Sequence, residues 1–373
     1  DGSRSMVRRK IGATLSGTPV IQRVQSTCIR APQLLGMMPG KRAWMYLSLN
    51  PRRCGTVVAI DGKETWLIHN HLYDGEPDFD SIDRDWAIRT ILGVGEDFEY
   101  EIVSKEDWTG RRLVADRFRD RRAFISGDAA HLWMPYAGYG MNAGIADAMD
   151  LSWMLAAVLK GWAPASLLDA YERERQPITE QVSKFAMEMA LNNMRQRKGT
   201  PPEVELPGPE GDAVRAKVGK EAYDLNVHQY CCGGLNFGYF YAGSPVIAYD
   251  DGEHPAYTMY DFTPSTVPGC RAPHFFLPNG RSLYDLLGPD YSLLRFDPAV
   301  DVEGMVEAAA HRGVPLVVVD LPPESAGELY PHKLALVRPD QHIAWRGDTE
   351  PTDPLALIDL IRGAAVAAAR KAA

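Results

Sequence analysis

Asp128 stands just past a short apolar run, Ala123-Phe124-Ile125, that reads as a buried strand ending at Gly127-Asp128. A carboxylate at a strand end can accept hydrogen bonds from the hydroxyls of a ligand. A loop follows, holding His131, Pro135, Gly138 and Gly140. The two glycines permit positive φ and a close approach of backbone to a bound group. A helix is predicted from near Asn142 through Ile145, Met149, Leu151, Met154, Leu155 and Val158, with Gly161 as its stop. Its first turn carries unpaired N–H groups and partial positive charge, which stabilise negative charge on a ligand. The pattern predicts a site for an anionic or hydroxyl-rich group. Gly138-x-Gly140-x-x-Ala143 also fits the dinucleotide fingerprint formally, but a loop with Pro135, not a tight turn, separates it from the strand.

Residues 18 to 116 read as mostly β. Val20 to Val24, Trp44 to Leu49, Thr56 to Ile60, Thr65 to His71, Phe98 to Ser104 and Leu113 to Arg117 are strand-like, with Asp61-Gly62 a hairpin turn. Asp83 to Leu92 reads as a helix. His69 and His71 flank Asn70; solvent-facing strand positions are the favoured reading and substrate hydrogen bonding the alternative. They lack partners at metal-ligand spacing, so no metal is expected. Pro164 starts a long helical stretch that Pro177 either kinks or divides, running to about Arg197. Residues 199 to 211 form a Pro-, Gly- and Glu-rich connector, Ala213 to Tyr223 a helix, and Phe237 to Ala248 a strand-like junction. From Gly269 the order becomes strand (Tyr291 to Phe296), helix (Val302 to His311), strand (Pro315 to Val319), a hairpin around Pro339-Asp340, and a closing helix, Pro354 to Arg370.

The composition, 45% hydrophobic and 24% charged over 373 residues, is that of a globular chain of two or three domains. A net charge of -9 argues against nucleic acid or an anionic membrane surface as the main partner. No apolar run approaches the roughly 18–20 residues of a membrane span. The five cysteines are odd in number, without CxxC or metal-like spacing, which suits free thiols in a reducing cytosol.

Gly127-Asp128-Ala129-Ala130-His131, followed by Pro135, Gly138, Gly140, Asn142, Gly144, Asp147-Ala148 and Leu151, resembles the second flavin-binding motif of single-component aromatic hydroxylases. These are the FAD-dependent, NAD(P)H-using monooxygenases of the para-hydroxybenzoate hydroxylase and phenol hydroxylase type. The resemblance implies that Asp128 binds the ribityl chain of FAD. It places Pro135, Gly138, Gly140, Met141 and Asn142 beside the isoalloxazine ring, with the helix N-terminus facing its N1–C2=O edge. Asp150 stands where relatives often carry Asn. Asp1-Gly2-Ser3, with Val7-Arg8, is similar to the family's DG motif, which makes Asp1 and Gly2 cofactor-binding candidates near the pyrophosphate. The middle sheet would roof the substrate, with Tyr46, Ser48 and Asn50 on one side of a strand and Leu67, His69 and His71 on one side of its neighbour. Asn50, His69 and His71 are therefore the substrate candidates. No catalytic residue is assigned.

The implied fold is α/β (α+β): a partial FAD-binding domain (1–17 and 117–198), a substrate-binding β-sheet domain (18–116), a connector and junction (199–268), and a thioredoxin-like C-terminal domain (269–373). That last domain lacks CxxC after Phe296, so it is expected to be redox-inert and to serve packing or homodimerisation. The implied function is hydroxylation of a phenolic or polyketide-like aromatic by FAD, NADH or NADPH and O2, through a flavin C4a-hydroperoxide. Another oxygenase on the same scaffold, of Baeyer–Villiger type, and a non-catalytic fragment are the alternatives. The family's N-terminal GxGxxG segment, which holds the ADP half of FAD, is not found after Asp1. The expectation is a part of a longer enzyme that by itself binds FAD weakly and does not hydroxylate.

Overall fold

The computed structural model describes residues 1–38, 40–322 and 327–365. A seven-stranded antiparallel sheet dominates the first third. Its strands are β1 (Leu15–Arg30), β2 (Met45–Ser48), β3 (Gly55–Ala59), β4 (Thr65–His71), β5 (Glu101–Lys105), β6 (Trp108–Ala115) and, after the two-residue pair β7 (Arg119–Asp120) and β8 (Ala123–Phe124), β9 (His131–Leu132). The order is β2-β3-β4-β1-β6-β9, with β5 also paired to β1. The strand expected at Val20 to Val24 is the middle of a sixteen-residue strand, buried from Val24 to Thr27 because β4, β5 and β6 all pair with it.

The expected helix at Asp83 to Leu92 is α3 (Arg84–Leu92), which follows two short helices, α1 (Met6–Lys10) and α2 (Leu34–Met37). Asp83 accepts from Trp86 N–H at its start, and Gly93 ends it at φ 68°. One sheet face buries Ile29, Val57, Trp66 and Ile68 against Ile88 and Ile91 of α3.

The helices that follow are α4 (Tyr139–Leu159), α5 (Asp169–Lys198) and α6 (Gly208–Tyr230). Helix α4 starts three residues before the expected Asn142. Ala137 and Gly138, both at φ 62°, set its beginning. Pro177 does not divide α5, which runs unbroken for thirty residues with the proline exposed. The junction expected as a strand over Phe237 to Ala248 is instead a π-turn, Gly234–Gly238, and a single bridge from Phe240 to Cys270. Glycine permits the π-turn: a Cβ on Gly234 would lie 1.8 Å from Thr258 O, so only glycine lets the turn pack against that backbone.

The C-terminal sheet has the order β11-β10-β12-β13, from β10 (Tyr291–Arg295), β11 (Leu316–Asp320), β12 (Leu334–Val337) and β13 (Ile343–Gly347). The first two are parallel through α7 (Glu303–Arg312), and the rest antiparallel, which is the thioredoxin-like arrangement. Helix α8 (Pro354–Ile361) closes it; residues 366–370 of the expected closing helix lie outside the described residues. One core joins this module to the flavin-motif helices: Met154 and Tyr171 pack with Tyr291, Leu293 and Ile358. Arg338, fully buried, reaches across to Asp150 of α4 at 3.1 Å and to Glu174 of α5 at 2.6 Å, and also bonds Asp340 at 2.6 Å. The three carboxylates surround this guanidinium.

Candidate active site

The loop that bears Asp128 is set by buried ion pairs. Gly127, at φ 53°, passes so close to α4 that a Cβ on Gly144 would sit 3.3 Å from its Cα. Gly127 N–H donates to Asp147 Oδ2 at 3.0 Å, and His131 Nε2 lies 2.7 Å from the same oxygen. Arg175 Nε donates to Asp147 Oδ1 at 2.9 Å. Burial alone would push the Asp147 carboxyl up; the His131 hydrogen bond and the Arg175 charge outweigh it and bring it down to about 2. Gly110 of β6 leaves room for Met134, which lies fully buried over it and ties the loop to the sheet.

Asp128 itself is exposed, and its carboxylate accepts no hydrogen bond among the described residues. Helix α4 has no side-chain cap and no acid in its first turn, so its leading N–H groups are unpaired. Beside that turn, near Gly140, Trp133 Nε1 is a buried donor with no partner. A free carboxylate, an uncapped helix N-terminus and an orphaned indole N–H fit a group with both hydroxyls and an acceptor-rich ring edge, as FAD has. Pro135, Gly138, Met141 and Asn142 are exposed around this N-terminus, and Gly140 is half-buried. Asp1 is engaged otherwise: its carboxylate accepts from Ser5 Oγ at 2.6 Å and from Met6 and Val7 N–H at 2.7 and 2.9 Å, holding the start of α1. Gly2 is exposed at φ 71°.

Across the loop lies a cavity of about 630 Å³. Its roof is the second face of the sheet, carrying Met45, Leu47, Val58, Leu67, His69 and His71; Pro135 to Gly138 line another side, and α5 and α6 close it with Arg197 and Tyr230. The solvent-facing reading of the two histidines is thus corrected: His71 is buried and His69 half-buried, because this face is covered by α5 and α6. The register also corrects the side of β2. Leu47 is opposite Thr56, which is opposite His69, so Met45 and Leu47 look into the cavity while Tyr46 lies 6.5 Å from the Trp66 ring on the other face. Asn50 is not brought to the cavity. Its amide holds the turn after β2, accepting from Arg53 N–H at 2.8 Å and donating to Arg53 O at 2.8 Å.

His69 Nδ1 lies 2.7 Å from Ser26 Oγ, which accepts from Trp108 Nε1 at 2.9 Å. Ser26 Oγ can then give its own proton to Nδ1, an arrangement that would leave Nε2 protonated; Nε2 has no partner among the described residues. Burial, with the Arg197 charge, lowers the His69 pKa to about 4, so the ring is neutral at pH 7. His71 is neutral for the same reasons, bonded to Gln22 Oε1 at 3.2 Å and Thr56 Oγ1 at 3.4 Å.

Fold and site together define a protein in which an uncapped helix N-terminus and its glycine-bearing loop face an apolar chamber of aromatic size. Comparison with known proteins gives the family. Residues 1–186 match the FAD binding domain family, and residues 265–365 match the aromatic-ring hydroxylase C-terminal family. The chain is 28% identical over 368 residues to the FAD-dependent monooxygenase opdD of Penicillium oxalicum, covering 93% of this chain and 70% of that protein. It is 32% identical over 373 residues to aklavinone 12-hydroxylase RdmE of Streptomyces purpurascens, covering 95% and 64%. The structure of the rebeccamycin biosynthetic enzyme RebC with reduced flavin superposes with a TM-score of 0.86 at 33% identity, covering 98% of this chain and 67% of that one. The chain belongs to the FAD-binding aromatic-ring hydroxylases. It spans about two thirds of the length of these relatives.

Among sequence-derived candidates, His69 and His71 meet the loop of Pro135 and Gly138 at the cavity. Arg8, Asp147 and Arg175 were not singled out for roles. Asp147 had a signal, as an acid within an apolar helix, but its partners lie too far off in sequence to be paired by spacing.

Proposed function

We propose that the protein is a monooxygenase that hydroxylates a phenolic or polyketide-like aromatic, using FAD, NADH or NADPH, and O2. The observation that carries this is the chamber of about 630 Å³, apolar in lining and opening on the Pro135–Gly138 loop. That size lies in the range of about 300–1,000 Å³ usual for small-molecule sites. FAD, when bound and reduced by the nicotinamide, would supply the two electrons that activate O2, one of whose oxygen atoms goes to the ring while the other leaves as water.

The chain's own residues bind and orient. Asp128 accepts from the ribityl hydroxyls, the uncapped start of α4 and Trp133 Nε1 present N–H groups to the ring edge, and Pro135 to Asn142 shape its surroundings. Arg8 ties Ser3 to this loop, so the Asp1-Gly2 segment lies on the same cofactor surface, with the Asp1 carboxylate holding the start of α1 rather than facing the ligand. The apolar sheet face excludes water, and His69 offers Nε2–H to an oxygen on the substrate. The proposal keeps the division into a flavin part (1–17, 117–198), a substrate sheet (18–116), a junction (199–268) and a C-terminal module (269–373) that serves packing and homodimerisation.

The test is reconstitution with FAD, followed by NADH or NADPH and labelled O2 with a panel of fused-ring phenols. A product with one labelled oxygen on an aromatic carbon is expected. Labelled oxygen inserted into a ring-expanded ester would move the assignment to Baeyer–Villiger chemistry, and no labelled product with bound flavin would sink the oxygenase reading.

A further inference from the structure

Arg197 sits in the last turn of α5, buried, on the wall of the cavity. Its neighbours in that turn point outward: Arg195 and Lys198 are exposed, and Lys198 pairs with Asp74. Arg197 has no such counter-ion. Among the described residues no carboxylate pairs with its guanidinium, and its side chain makes one hydrogen bond, from Nη1 to Tyr136 Oη at 3.2 Å. The other buried arginines are compensated: Arg53 by Glu76, Arg175 by Asp147, Arg338 by Glu174 and Asp340, and Arg8 by two backbone oxygens.

A guanidinium stays charged in any protein environment, and a buried charge without a partner is costly. The negative end of α5 offsets only part of that cost. The titratable side chains beside it on the sheet, His69 and His71, are neutral and feel its positive charge. None of its nitrogens is both sealed from solvent and unpartnered, so the free N–H groups open into the cavity. A cation kept in an apolar chamber, with its fork unoccupied by protein, has the form of a receptor for an anionic oxygen.

We propose that the cavity takes an aromatic substrate bearing an anionic oxygen group, a ring carboxylate or an ionised phenol, which the Arg197 fork binds. The proposal rests on the hydroxylase reading, in that it takes the cavity as the substrate chamber. Paired N–H donors in one plane match two carboxylate oxygens, whereas an ionised phenol takes one. Tyr136, which accepts from Arg197, belongs to the flavin loop itself. Anchoring the anion there fixes which edge of the ring system is turned to that loop, so Arg197 would set the position of hydroxylation as well as affinity.

The FAD-loaded protein is titrated by tryptophan fluorescence, which Trp44 and Trp108 in the cavity wall report. The probes are an anthracene carboxylate, the matching carboxamide and the matching anthrol. The carboxylate is expected to bind about tenfold or more tightly than the carboxamide, the factor carried by hydrogen bonds to a charged group. If the phenol is the natural anion, the anthrol binds as its phenolate below its free pKa, seen as a red-shifted absorbance, and the carboxylate shows no advantage. Arg197→Met should abolish whichever preference is found, and Arg197→Lys should keep part of it as a point charge. Equal binding of carboxylate and carboxamide with an un-ionised anthrol in the wild type overturns the proposal, whether or not Arg197→Met folds. So does a full preference in folded Arg197→Met. Hydroxylation of neutral aromatics with no dependence on Arg197 would overturn this proposal and leave the hydroxylase reading standing. Arg197-dependent anion binding with no oxygen incorporated would support it and remove that reading.

Discussion

Arg8 Nη1 donates to Ala129 O at 2.8 Å, across 121 positions of sequence, while its Nη2 donates to Ser3 O at 2.9 Å. One buried side chain thereby fastens the Asp1-Gly2-Ser3 segment to the loop that presents Asp128. Two segments that resemble flavin fingerprints are held as one surface by a residue that need not touch the cofactor.

Asp128→Ala should weaken FAD binding by about ten- to a hundredfold, the equivalent of roughly 1.5–3 kcal/mol for hydrogen bonds to a charged acceptor. Because Asp128 is exposed and has no partner among the described residues, the melting temperature of the apoprotein should not move. Flavin fluorescence titration of the full-length protein reads the first effect. Unchanged affinity would take Asp128 out of the site.

Asp147→Asn should be severely destabilising, since it leaves Arg175 buried and uncompensated; breaking such a pair costs about 3–5 kcal/mol. The wild-type carboxyl lies at about 2, below the ordinary unfolded value near 4. Its contribution is therefore present above pH 4 and lost as pH falls toward 2. Urea unfolding of both proteins at several pH values checks this, and a neutral-pH difference under 1 kcal/mol would refute it.

Asp150→Asn should behave in the opposite way. Burial, then the charge of Glu174, pushes the Asp150 carboxyl well up, and its Oδ2 has no partner. A raised carboxyl contributes stability below its unfolded value that is lost as pH rises. Asparagine keeps the oxygen that accepts from Arg338 without an ionisation to suppress. The variant should be at least as stable as the wild type at pH 7, with the gap closing toward pH 4. Calorimetric melting at the two pH values decides it.

His69 should remain neutral through the physiological range. Its folded value of about 4 lies below the unfolded value near 6.5, so the stability it brings is full above pH 6.5 and falls between 6.5 and 4. Arg197→Met should move its titration upward by removing a positive neighbour. Nuclear magnetic resonance of labelled histidine follows both; a His69 titration near 6.5 in the wild type would contradict the cavity's electrostatics.

Cys270→Ser should leave turnover intact. The thiol is buried, and burial pushes it up to about 11, which rules out a thiolate at neutral pH. Native protein should react with a thiol reagent first at Cys231, the exposed cysteine. A large loss of turnover in a folded Cys270→Ser protein would show a redox role in the C-terminal module.

The loop and helix around Asp128 were legible because glycine and proline punctuate them locally, whereas the buried strand expected before it is only the two half-buried residues Ala123–Phe124, paired with β7. So was the C-terminal β-α-β-β-β-α order, whose apolar runs are short and cleanly bounded. What spacing could not show was pairing at a distance. The facing of Met45 and Leu47 depends on the register with β3, not on alternation within β2. His69 reads as a polar strand residue until α5 and α6 are laid over it. Phe237 to Ala248 has strand-like residues, but among the described residues it finds a single bridging partner, Cys270, which spacing within the segment does not reveal.

Arg338 decides whether the C-terminal module can be exchanged for another. Its guanidinium is held by one residue of its own module, Asp340, and by two on α4 and α5: Glu174 as a counter-ion and Asp150 as a hydrogen-bond acceptor. Joined to helices with apolar residues at those two positions, the module would keep only the Arg338–Asp340 pair and leave the rest of the guanidinium fork unfilled in a sealed core, while the helices alone would leave Glu174 buried without its counter-ion. The C-terminal module and the helices it plugs are therefore not interchangeable parts: a change at any of the four residues must be answered on the other side of the seam.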